Sequence, residues 1–163
     1  MASSPTQHGN PTVISLSVQR IERVTQLRGS FERFAQPEID KLTALVPEPE
    51  CIPQPVDEGR LGIRIELEFE GHSLSSPEGE PSDETLIVRI TSTYLVVYAL
   101  DSDPKASDAD LKAFSFVNGQ FNVWPYWRQY VQDCLARIDL PVFVLPPLNP
   151  ARMLDRIDSK SAE

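Results

Sequence analysis

Five apolar residues, Leu61, Ile63, Ile65, Leu67 and Phe69, alternate without exception with Gly62, Arg64, Glu66, Glu68 and Glu70. Successive side chains of a strand point to opposite faces, so this run predicts a strand with one apolar and one charged, mainly acidic face. The same period appears at Ile14, Leu16 and Val18 against Ser15, Ser17 and Gln19, predicting a first strand from residue 12 to about residue 23. Leu86, Val88 and Ile90 repeat it after residues 71–83, whose Gly, Pro and Ser content reads as the loop of a hairpin. Residues 94–100 are apolar on both sides, which calls for a cover on each face or for a face shared with another subunit.

Beyond residue 106 the period changes. Ser107 with Asp110 three residues on starts a helix, Leu111, Phe114 and Val117 follow at helical spacing, and Asn118-Gly119 supplies a stop. Asn122 can cap a second helix, with Phe121 and Tyr126 placed as a hydrophobic staple and Pro125 tolerated in the first turn. Along it Tyr126, Trp127, Tyr130, Val131, Cys134, Leu135 and Ile138 recur three or four apart, with Arg128, Gln129, Gln132, Asp133 and Arg137 on the other face. Leu140-Pro141 ends this helix, residues 142–148 lie extended between prolines, and Asn149-Pro150 can cap a last helix carrying Met153, Leu154 and Ile157.

The order is therefore strands first and helices after, an α+β arrangement. A chain of 163 residues fits one domain. It is expected over residues 12–157, between an N-terminal tail (1–11) without periodicity and a frayed C-terminus (158–163). The formal net charge of -9 and the lack of a basic cluster argue against nucleic acid and anionic membrane surfaces as partners. Neither a signal peptide nor an apolar run of spanning length is present, so a cytoplasmic protein is expected. Cys51, in a proline-rich connector, and Cys134, on a helix, have no ligand-like spacing, and the two histidines, His8 and His72, form no metal motif.

Several short pieces resemble one family in the same order. Val18-Gln19-Arg20-Ile21 resembles the end of the first strand of SecB-type chaperones, and Gln36-Pro37-Glu38-Ile39 the approach to their second. Asn122-Val123-Trp124-Pro125-Tyr126-Trp127-Arg128 resembles their helix start, Asn-x-x-(Phe)-Pro-Tyr-x-Arg. Leu140-Pro141 and Leu145-Pro146-Pro147-Leu148-Asn149 resemble the segment leading into their last helix. The resemblance implies a four-stranded antiparallel sheet with a long crossover between strands one and two, backed by one long and one short helix and assembled as a homotetramer, a dimer of dimers. It also places strand two near residues 38–46, although Ile39, Leu42 and Leu45 or Val46 recur there at helical spacing.

The function so implied is that of an ATP-independent holder of unfolded polypeptides, without cofactor or metal. By resemblance, client chains would meet a groove walled by a crossover segment with Phe31 and Phe34 and by the last helix with Leu148, Met153, Leu154 and Ile157, with Leu42 and Leu45 in its floor. Trp124, Tyr126, Trp127, Tyr130, Val131 and Cys134 would build the subunit interface, the alternative being that they pack on their own sheet. Members that serve export offer acids to the SecA motor, whereas the matching stretch here reads Val88-Arg89-Ile90. Glu32 is a second candidate docking acid, in a register shifted by an insertion between Arg23 and Ser30, and Gln129 replaces the acid that usually follows the motif's arginine. Other members serve the antitoxin of a toxin-antitoxin pair, a role these departures suit. Two other readings stay open: a small α+β thioesterase or isomerase using His72 or the Asp101 and Asp103 pair as general base, and an oligomeric interaction module. The acidic strand face at Glu66, Glu68 and Glu70 reads as a solvated surface.

Overall fold

The computed structural model of the chain describes residues 18–35, 42–57, 59–74, 79–100, 106–149 and 153. Five strands, β1 (Val18–Arg33), β2 (Thr43–Leu45), β3 (Glu50–Asp57), β4 (Arg60–His72) and β5 (Leu86–Leu100), form one antiparallel sheet. Its order is β1-β5-β4-β2, with β3 beside β2 on the same edge of β4. The sheet is thus four strands wide, and the chain between β1 and β2 crosses from one edge to the other. This is the expected α+β architecture, with the strand on the β4 edge broken in two at Val46-Pro47-Glu48-Pro49.

The alternating run of β4 buries Leu61, Ile63, Ile65, Leu67 and Phe69 beneath the helix and leaves Arg64, Glu66, Glu68 and Glu70 half-buried on the outer face. Opposite them on β5 stand Tyr98, Val96, Tyr94, Ser92 and Ile90, completing the inner layer. Val97 and Ala99 on the outer face are also buried, in keeping with the apolar character of β5 on both sides.

Three expectations about strands are corrected. The first strand does not end near Arg23 but runs to Arg33, and Phe31 belongs to it, paired with Ile90. The stretch read as an insertion, between Arg23 and Ser30, is part of this strand and holds a bulge at Leu27; Gln19 and Glu22 before it likewise have no partner on β5, and each of the three breaks the period of two that would have revealed the strand. Cys51 lies in β3 and not in a connector. Because β3 is an edge strand, Pro53 and Pro55, two residues apart, can both turn their missing donors toward the open edge. Within the stretch assigned to strand two, the described part is Leu42, which precedes β2, and β2 itself, while residues 36–41 lie outside the described residues.

The helical half also differs in detail. α1 (Asp108–Phe114) begins with the expected capping box, Ser107 accepting from the Asp110 backbone N–H while the Asp110 carboxylate accepts from Ser107. It does not stop at Asn118-Gly119. One wide turn of π-helix, Ser115–Gly119, joins it to α2 (Gln120–Arg137). Asn122 is therefore no cap, Phe121 and Tyr126 stand exposed rather than stapling an entry, and Pro125 falls inside the helix. Gly119 is where the helix comes closest to the sheet: a Cβ there would lie 3.1 Å from both Ile63 and Ile65. Behind α2, Asp139 takes a left-handed backbone (φ 54), and the Leu140 N–H closes back on the Leu135 carbonyl at 3.1 Å.

Candidate functional site

The extended segment after α2 is held open by its prolines. Pro141, Pro146 and Pro147 cannot continue a helix, and between them the side chains alternate. Phe143 turns inward, its ring 5.8 Å from that of Phe69, and Leu145 is fully buried, while Val142 and Val144 face outward. The segment is fastened to α2 by the Trp124 indole, whose Nε1–H donates to the Pro146 carbonyl at 2.7 Å.

That bond sets one wall of an apolar cleft of about 320 Å³. Trp124 comes from α2, Val46 from the break between β2 and β3, Leu145, Pro146, Pro147 and Leu148 from the extended segment, and Met153 from beyond it. Met153 is helical and its N–H donates to the Asn149 carbonyl at 3.2 Å, while the rest of the expected last helix lies outside the described residues. The lining offers hydrocarbon, an indole face and proline rings, with Asn149 at the rim. Its chemistry is that of non-directional burial, which accepts many side chains of roughly the right size at about 25 cal/mol per Å².

Two other hollows differ in character. A larger one, about 450 Å³, lies on the outer face among Glu48, Glu50, Glu66, Glu68, Arg28 and Thr91 and is polar. The other, about 380 Å³, sits at the β3–β4 turn between Pro53, Pro55, Leu61, Leu100 and Leu111. Among the described residues, no group of three His, Cys, Asp or Glu side chains could hold a metal ion, and no helix is long and apolar enough to cross a membrane.

Of the residues expected to meet clients, Leu148 and Met153 come together in the cleft. Leu42 is buried at the far end of the sheet, near Gly71, and Leu45 is exposed beside it. Phe31 and Phe34 do not share a wall: the alternation of β1 puts Phe31 on the inner face, whereas the Phe34 ring lies on the outer face under the Arg89 guanidinium, 5.7 Å from its centroid. Leu154 and Ile157 lie outside the described residues, as do Asp101 and Asp103. Val46, Leu145 and the prolines at 146 and 147 were not anticipated as lining. Residues 142–145 are all apolar, so the sequence carries no alternation that singles out Leu145.

The residues assigned to an interface divide by burial. Trp127, Val131 and Cys134 are buried in the chain's own core and Trp124 nearly so, whereas Tyr130 is half-buried and Tyr126 open. Tyr130 lies over Gly29 of β1, where a Cβ would sit only 2.5 Å from its hydroxyl. Burial raises the Tyr130 phenol to about 12, its neighbour Cys134 adding to the effect.

His72 is 2% exposed. Its Nδ1 is 3.0 Å from Thr85 Oγ1 and its Nε2 3.3 Å from Glu70 Oε2, so both ring nitrogens are engaged inside the hairpin and neither faces a cleft. Glu70 is pushed up by burial but pulled further down by Arg89 and His72, so its carboxyl titrates below the usual range.

No protein-family model matches the sequence, and no curated protein matches it. Among solved structures, the chain is similar to a Mycobacterium tuberculosis SecB-like chaperone in complex with a ChAD peptide from the HigA1 antitoxin. The two share 20% identity and superpose with a TM-score of 0.65 over 80% of this chain and 90% of that one. The chain has the SecB-like fold.

Proposed function

We propose that this protein is a holdase, binding unfolded or partly folded polypeptides without ATP, with the Trp124–Leu148 cleft as its principal contact. The observation that carries this reading is the cleft itself: an apolar, proline-walled opening on a SecB-like fold, in a chain whose net charge of -9 keeps exposed hydrocarbon in solution. Leu154 and Ile157 are its proposed continuation along the last helix, while Leu45 and Phe31 are exposed apolar residues apart from the cleft.

A dedicated client such as an antitoxin suits the chain better than the export pathway. The fold neighbour holds an antitoxin peptide. On the outer face of this sheet, Arg89 pairs with Glu68 at 3.2 Å and with Glu70 at 2.7 Å and covers Phe34, so a motor that reads acids meets carboxylates here that are already engaged by an arginine.

Assembly as a dimer of dimers in the cytoplasm completes the proposal. It is supported by the 16-residue β1, an edge strand carrying exposed Ile21, Leu27 and Phe31, and by exposed Phe121 and Tyr126 on α2. The test is a light-scattering assay in which the protein, without nucleotide, delays aggregation of a reduced, unfolded client. Scattering that proceeds unchanged at several-fold excess of the protein would refute the reading.

A further inference from the structure

We propose that residues 142–145 receive the client as an added β-strand, so that the client's backbone is recognised here and its side chains in the cleft beside it. This rests on the holdase reading above. The segment already has the geometry of a strand: Phe143 and Leu145 point to the core, and Val142 and Val144, 58% and 55% exposed, point away from it. Yet it belongs to no sheet. Among the described residues, the backbone of residues 142–145 makes no hydrogen bond, and the nearest bonded group is the Pro146 carbonyl, taken by Trp124.

Backbone donors and acceptors are obligatory hydrogen-bonding groups, and an extended row of them beside exposed Val side chains matches one kind of ligand, another extended polypeptide. Side-chain chemistry varies from client to client, but the N–H and C=O spacing does not. Such an edge therefore adds affinity without demanding a sequence, as a holder of unfolded chains requires. The prolines limit the hazard of an open edge. Pro141, Pro146 and Pro147 have no N–H to give, so pairing is confined to the short stretch between them and cannot propagate. The edge runs up to the cleft, since Leu145, its last residue, also lines the cleft and Pro146 follows it there, so a strand laid along residues 142–145 ends beside the cleft.

The test uses the full chain and reduced, carboxymethylated α-lactalbumin as a permanently unfolded client. Hydrogen exchange at the Val142 and Val144 amides should slow by at least about tenfold when the client is bound, as for newly formed backbone hydrogen bonds. Val144→Pro removes one donor while keeping an apolar side chain and should weaken binding about tenfold, whereas Val144→Ala should change it less than about threefold. Client bound with unchanged exchange, or proline and alanine variants that bind alike, would overturn the strand-addition proposal and leave the holdase reading standing. No client binding by the unsubstituted chain would remove both. Protection of the same amides without client, rising with protein concentration, would identify a second copy as the occupant and overturn the proposal. The exchange measurement needs no variant and decides the matter even where Val144→Pro does not fold.

Discussion

The side-chain amide of Asn122 donates to the Tyr98 hydroxyl at 2.7 Å, and the same hydroxyl donates to the Asn118 carbonyl at 3.2 Å. One phenol thus ties β5 to the wide turn between α1 and α2, where a carbonyl is displaced from regular helical bonding. Burial, followed by the Asn122 bond that partly offsets it, leaves the Tyr98 phenol pushed up to about 12. Tyr98→Phe should therefore lower stability by about 1–2 kcal/mol, because two polar groups lose their partner while the ring stays in place. Urea unfolding should show a lower midpoint at unchanged slope, and an unchanged midpoint would mean that water replaces the hydroxyl.

A side chain at Gly119 would be tightly packed. The missing Cβ would lie 3.1 Å from Ile63 and Ile65, so Gly119→Ala trades a gain in helix propensity for overpacking against the sheet. A net loss of about 1 kcal/mol is expected in the same assay, and a gain would show that helix and sheet are less closely packed than they stand here.

Asp139→Gly should act in the opposite direction. Asp139 adopts a left-handed backbone just past α2, and its carboxylate stands by the negative end of the helix dipole. Glycine removes both penalties, and a stabilisation of about 0.5–1 kcal/mol, read as a rise in Tm of a few degrees, is expected. A fall in Tm would show that the carboxylate makes a compensating contact.

Alkaline pH should unfold the protein. Burial pushes the Cys51 thiol up from 9.0 to about 12, and burial likewise raises Tyr98 and Tyr130 from 10.0 to about 12. Groups raised in the folded state hold their protons longer than in the unfolded chain, so their contribution is complete below about pH 9 and is lost as pH rises from 9 toward 12. Stability measured by denaturant between pH 7 and 11 should therefore be level at first and decline above 9. Alkylation of Cys51 at pH 8 should be far slower in the folded than in the unfolded protein.

The parts of the fold that were legible in the sequence are those where one period runs unbroken. β4 declared itself because Leu61 through Phe69 never miss a beat, and the outer part of α1 because Ser107 and Asp110 form a local, self-contained cap. β1 was legible only at its start, since bulges at Gln19, Glu22 and Leu27 shift the phase each time it begins to establish itself. The joined helix was hidden because Asn118-Gly119 is the usual signature of an end. Here the glycine serves close packing and the asparagine's carbonyl finds Tyr98, a partner 20 residues away in sequence. The cleft was half legible. Leu148 and Met153 were named through the family resemblance, but Val46 and Trp124 meet them only through tertiary structure, and Trp124 is turned there by its bond to Pro146.

The assembly can be checked by sizing in solution. The proposal expects a species near four chains, with Tyr126→Asp, an exposed position, dissociating it without unfolding the subunit. A monomer at micromolar concentration would remove the interface assigned to α2 and to the β1 edge. Trp127 is unsuitable for this purpose because it is buried in the core, and its substitution by Asp would unfold the subunit itself.

The most direct test of the central claim places a charge in the cleft and measures client holding. Val46→Asp and Leu148→Asp, both at partly buried cleft positions, should leave the far-ultraviolet spectrum and the oligomer intact. Together they should raise the concentration needed to suppress aggregation of an unfolded client by about tenfold or more. A double variant that holds clients as well as the unsubstituted protein would show that the cleft between Trp124 and Leu148 is not where unfolded chains are bound.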